Sequence, residues 1–161
     1  MKLTQAGPAG YAFEFTLREK ILLFKVLALY PLIPAVHHRL HRTTTAPDDD
    51  NQQLLEESLT AHREESRHKV RALLTNPDRF PARSAGFGWT ASRADMEWML
   101  QVLNEVRVGS WLALGAPDLS SPQAIPSTPD RLRHRWAMDI AGGFEMIFLA
   151  ALNGALPLEE D

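Results

Sequence analysis

Asn104 and Arg107 stand one helical turn apart in WMLQVLNEVRVGSW, residues 98–111, among mostly apolar neighbours. An amide beside a guanidinium offers several N–H donors, the chemistry that holds a carboxylate or a phosphate. The same two side chains could equally form a structural contact, because a buried guanidinium must be paired with an opposite charge. Glu145 and Asp139, on a later helix, are the available carboxylates. The expectation is an Arg107 to Glu145 contact that sets the register of two helices. A second grouping is RLRHR, residues 131–135, which gathers Arg131, Arg133, His134 and Arg135 at a predicted helix start. Positive charge at that end opposes the helix dipole. The cluster is therefore either a patch for an anion or an acidic partner, or a counterweight to nearby acids such as Asp130.

Other candidates are weaker. His37 and His41 have the four-residue spacing of metal-ligand pairs, but Pro31 and Pro34 disfavour a helix there. A zinc site needs three or four ligands, and no third is evident. No metal or cofactor is expected. His62 and Ser66 make a polar notch in an apolar line, read as a hydrogen-bonded core pair before a ligand contact. Gly109-Ser110 and Gly142-Gly143 interrupt two helices at a cost of about 1 kcal/mol per glycine. That cost points to close helix packing rather than to a phosphate loop. The chain has no cysteine, which excludes disulfides, thiolate catalysis and thiol redox sensing. With no defensible catalytic signature, the chain is read as non-enzymatic.

The elements that position these residues follow from local signals. Residues 1–15 read as a small β-hairpin, with Gly7, Pro8 and Gly10 at its turn and Tyr11, Phe13 and Phe15 alternating after it. Thr16 and Glu19 form a capping box for a first helix that is apolar nearly all round, which predicts a place at the centre of a bundle. Aspartates 48–50 favour a second helix over about residues 50–75, ending at Asn76-Pro77. Its apolar line is Leu55, Leu59, Val70, Leu73 and Leu74. Residues 77–90 read as a loop pinned by Phe80, Phe87 and Trp89. Ser92 with Asp95 opens a third helix, which stops at Gly115. Residues 116–129 are a proline-stiffened connector, and Thr128-Pro129 opens a fourth helix. Leu132, Trp136, Ile140, Phe144, Ile147, Phe148, Ala151 and Leu152 supply its buried side. Residues 155–161 are an acidic frayed tail. The predicted architecture is mainly α: one domain over residues 1–161, a hairpin followed by a helical bundle of about four long helices over residues 16–154.

Composition narrows the functional classes. The 161 residues carry a net charge of −3 with a hydrophobic fraction of 45%, normal for a globular chain. That balance gives no global attraction to nucleic acid. The apolar run 21–36 is broken by Lys25, Pro31 and Pro34, and is too short for a comfortable membrane span. With Glu14 and Glu19 upstream it does not fit a signal peptide either. A cytoplasmic protein is expected. Self-association is compatible with a helical bundle but is not written in the sequence.

The stretch MEWMLQVLNEVRVGSWLAL resembles the W-x-x-x-x-L-N-x-x-R signature of the AosR-like family of small bacterial proteins, matching at Trp98, Leu103, Asn104 and Arg107. The last helix is similar at Trp136, Glu145 and Ile147, and the order of hairpin, capped helix and leucine-rich helix is similar too. The family's usual Leu-Gly after the arginine is Ser110-Trp111 here, and Phe144 stands where a glutamine usually precedes the glutamate. The resemblance implies an oxidative-stress regulator that works with the transcription machinery through a sigma factor. It also implies a link to Clp-type proteolysis, since members are often encoded beside the ClpS adaptor. Oxidant sensing through paired cysteines does not carry over to a chain without them. The functional expectation is a cytosolic regulatory protein that binds another protein. The alternative is a small-molecule or anion-binding protein, with or without catalysis, using Asn104 and Arg107 or the 131–135 cluster.

Overall fold

A computed structural model describes residues 1–33, 49–118 and 128–157. The chain forms β1 (Lys2–Gly7), β2 (Gly10–Phe15), α1 (Leu17–Leu27), α2 (Asp49–Thr75), β3 (Ala82–Arg83), β4 (Gly86–Ala91), α3 (Arg93–Ala113) and α4 (Pro129–Leu152). The four strands make one antiparallel sheet in the order β1-β2-β4-β3. The expected mainly helical bundle with only a small hairpin is therefore wrong, and the fold is α+β.

The hairpin is present, but it is half of a larger sheet. The stretch expected to be a loop, residues 77–90, contains β3 and most of β4. In β4, GFGWTA, two glycines hide the alternation of side chains that marks a strand. Its partner β2 lies far upstream, with α1 and α2 between them, so no local turn signal announces the pairing. The register sets Tyr11 against Ala91, Phe13 against Trp89 and Phe15 against Phe87. Gly10 is required where the hairpin meets β4. Its φ is +116°, and a Cβ there would lie 2.8 Å from the Ala91 carbonyl oxygen.

The sheet turns one face to the helices, and the core is the seam between them. Phe13 packs edge-on to Phe148 at 5.3 Å and stacks on Trp89 at 5.9 Å. Phe80 stacks on Trp89 at 6.1 Å and meets Phe24 edge-on at 5.1 Å. Each such ring, fully buried, contributes about 1.5–3 kcal/mol. α3 and α4 run along one another as the most extensive helix contact. Met99, Val102, Leu103 and Val106 of α3 face Ala137, Ala141, Phe144 and Phe148 of α4 at helical spacing.

The helix boundaries follow the predicted caps. Thr16 and Glu19 close a capping box on α1, and Ser92 and Asp95 close one on α3. Thr128 caps α4, with Pro129 at its first position. α2 ends at Thr75, as expected, and its Val70 and Leu73 are buried while Leu59 and Leu74 are half-buried. The side chain of Leu55, residues 119–127 of the connector and residues 158–161 of the tail lie outside the described residues.

Two expected placements fail. α1 is not enclosed on all sides: it touches α2, α3, α4, β2 and β4, but one of its faces stays in solvent. It buries Leu23, Val26 and Leu27 but leaves Leu17 59% and Ile21 43% exposed. On α4, Leu132 is exposed rather than buried, because the first turn overhangs the core. Of the helical glycines, Gly142 sits where α4 approaches α3, as expected, while Gly109 and Gly143 do not mark a helix-to-helix contact. Leu32 presses on Gly109, where a Cβ would meet the leucine Cβ at 2.8 Å. Gly142 leaves room for the stem of Arg107, whose Cδ would lie 3.6 Å from an added Cβ, and Gly143 faces open space. Among the described residues, no helix is long and apolar enough to cross a membrane.

Candidate functional site

The pair that opened the sequence reading is a clasp between α3 and α4. Arg107 Nε lies 2.9 Å from Glu145 Oε2, and its Nη2 donates to Asn104 Oδ1 at 2.8 Å. Asp139, the other candidate, pairs with Arg135 instead, at 3.0 Å. The burial differs from expectation. The core stripe of α3 runs through Val102, Leu103 and Val106, so Asn104 and Arg107 fall on its flank and are exposed. Arg107 keeps 44% of its side chain in solvent, and the enclosed partner is Glu145, at 13%. Burial pushes the Glu145 carboxyl above the ordinary carboxylate range, against the pull of the Arg107 charge. Its Oε1 is buried and has no hydrogen-bond partner among the described residues. The guanidinium thus meets Glu145 through Nε and Asn104 through Nη2, and neither Asn104 nor Arg107 lines the concavities described below.

The 131–135 cluster does not form one patch. Successive residues on a helix point about 100° apart, so these side chains fan out. Arg131 Nη2 donates to the Leu114 carbonyl oxygen at 2.6 Å, at the end of α3. A charge unfavourable for the start of α4 is therefore favourable for the C-terminus of α3. His134 is half-buried, and its Nδ1 has no hydrogen-bond partner. Arg135 closes an exposed i,i+4 pair with Asp139. Arg133 lines one of the described concavities.

The polar notch on α2 has a clear account. Ser66 is buried and accepts a hydrogen bond from Trp98 Nε1 at 3.3 Å, tying α2 to α3. His62 is exposed. Beside the notch, Arg63 forms an ion pair with Glu105 at 3.0 Å, both side chains mostly buried, and donates to the Ile33 carbonyl. These groups border a cleft of about 200 Å³ with Tyr30, Leu59, Gln101 and Val102. Burial, and then the charge of Glu105, push the Tyr30 hydroxyl above the ordinary phenol range. Sequence reasoning missed the Arg63–Glu105 pair, because residues on different helices at that separation share no spacing rule. His37 and His41 lie outside the described residues, and among the described residues no group of three or more His, Asp or Glu could hold a metal ion.

Open apolar surface is also found along α1. A concavity of about 370 Å³ is lined by Leu17, Lys20, Ile21, Phe24, Lys25, Ala28 and Leu74. A second, of about 430 Å³, is lined by Lys25, Ala28, Leu29, Arg133 and Trp136. Lys25 and Ala28 border both, so the two concavities adjoin along α1, one beside Leu74 of α2 and the other beside Arg133 and Trp136 of α4, and together they make up the α1 trough. Lys20 is held over the Phe87 ring at 3.9 Å, a cation–π contact that fixes its stem along the trough wall. None of these lining residues is a carboxylate. Neither the trough nor its charge was foreseen, because its residues come from α1, α2 and α4.

Comparison with protein-family models, with curated proteins and with solved structures found no match.

Proposed function

We propose that this chain is a non-enzymatic, cytosolic regulatory protein that binds another protein through the outer face of α1. One observation carries the reading: Leu17 and Ile21 stand 59% and 43% exposed over a concavity of about 370 Å³. Apolar surface left in water forgoes roughly 25 cal/mol per Å², and contiguous exposed apolar surface marks interaction sites. Of the polar residues that could have held a ligand, Arg107 is paired with Glu145 and Arg131 with the end of α3. The resemblance to the AosR-like family supports a regulatory setting in transcription or Clp-type proteolysis. The residues that carry it hold the helices together: Trp98 bonds Ser66, Leu103 is core, and Asn104 and Arg107 form the clasp.

The test is photo-crosslinking in the native cell, with a photoreactive amino acid replacing Ile21 and, as control, Thr90 on the exposed sheet face. A discrete partner captured from position 21 and not from position 90 is the expected result. Equal capture from both positions, or none from either, overturns the reading.

A further inference from the structure

We infer that the occupant of the α1 trough is an acidic amphipathic helix of a partner protein. The inference rests on the protein-binding reading above and names the chemistry of the partner. Leu17, Ile21 and Phe24 give the floor at helical spacing, and Trp136 of α4 closes its far end. Lys25 and Arg133 stand at the junction and the far end, both exposed and neither closing an ion pair with a lining residue. The chain as a whole carries a net charge of −3, so a trough whose charged lining is all cationic among the described residues is a local reversal of sign. α1 is 11 residues long, about 16 Å at 1.5 Å per residue. That length matches a helix of about three turns laid alongside it, its apolar stripe on the floor and its acids against Lys25 and Arg133.

The probe is a fluorescein-labelled, stapled peptide of about 12 residues, with leucines along one face and glutamates on the other, read by fluorescence anisotropy. A second peptide keeps the leucines and replaces every glutamate with lysine. The acidic peptide is expected to bind at least about 10-fold tighter, with a gap that narrows as salt screens the charges. Ile21→Asp should weaken the acidic peptide by at least about 10-fold, since it puts a like charge on the floor. The double variant Lys25→Glu/Arg133→Glu, both at exposed positions, should reverse the preference, and circular dichroism reports whether it keeps its helix content.

Equal affinity for the two peptides, or undiminished binding to the Ile21→Asp chain, overturns the inference. So does competition by phosphatidylserine vesicles that Ile21→Asp abolishes, which assigns the trough to a membrane. So does a doubling of mass in sedimentation that the same variant abolishes, which assigns it to a second copy. A partner crosslinked from position 21 while the acidic peptide fails to bind leaves protein binding standing and removes only the acidic helix. Failure of both removes both.

Discussion

The seam between α3 and α4 and the trough along α1 handle charge in opposite ways. In the seam, a mostly enclosed carboxylate, Glu145, is matched by Arg107 at 2.9 Å, and the guanidinium is steadied by Asn104. In the trough, Lys25 and Arg133 border exposed apolar side chains with no carboxylate in the lining. The first arrangement satisfies its own charges and ties two helices together. The second leaves cations and apolar surface for something else to match. Polar residues in an apolar stretch of sequence attract the eye, yet here they serve architecture, while the open surface is built from leucine, isoleucine and lysine.

Three perturbations separate the two regions. The largest effect belongs beneath both. Phe148→Ala removes a fully buried ring that touches Phe13, Trp89 and Phe144, and should cost about 3–5 kcal/mol in urea unfolding. A loss under about 1 kcal/mol would mean that the sheet and α4 do not share this core.

The seam comes next. Arg107→Ala leaves Glu145 enclosed without its cation. A fully buried broken pair costs about 3–5 kcal/mol, but Arg107 is open to solvent, so about 1–2 kcal/mol is expected near neutral pH. The pH dependence has a definite sign. The folded-state pKa of Glu145 lies above the ordinary carboxylate value, so the folded chain binds the proton more readily than the unfolded one. Its contribution to stability therefore falls as pH rises from the ordinary carboxylate range through the raised value. Without Arg107 that fall should steepen: the loss measured at about pH 7 should exceed that at about pH 4, where the carboxyl is protonated. Adding Glu145→Gln should abolish the difference between the two pH values. An Arg107→Ala loss equal at both would show that the clasp does not act through charge.

The smallest effect on stability belongs to the trough. Ile21→Ser should change unfolding free energy by no more than about 0.5 kcal/mol, as at other exposed positions, while weakening peptide binding. A loss above about 1.5 kcal/mol would place Ile21 in the core and remove the contrast.

Part of the site was legible in advance. The contact of Arg107 with Glu145 was expected because a cation within an apolar stretch needs an acid, and Glu145 is an acid within an equally apolar helix. Its degree of burial was not, because a shift of one position around a helix turns a side chain by about 100° and moves Asn104 and Arg107 from the core to its flank. The 131–135 cluster was contiguous in sequence and so looked like one patch. The same rotation disperses it, sending Arg131 to the end of α3 and Arg133 to the trough.

By itself, the sequence determined the helix boundaries and the hairpin. Caps such as Thr16 with Glu19, Ser92 with Asp95 and Thr128 before Pro129 act within one turn of chain, as does the reversal from Gly7 to Gly10. Only the tertiary structure decided that β4 is a strand and that one face of α1 stays in solvent. Phe87 and Trp89 become strand residues because Phe15 and Phe13 lie opposite them, a pairing between distant segments that no local rule encodes. The packing around α1 covers only its inner face. It leaves Leu17 and Ile21 of α1 facing outward, on the surface where binding is proposed.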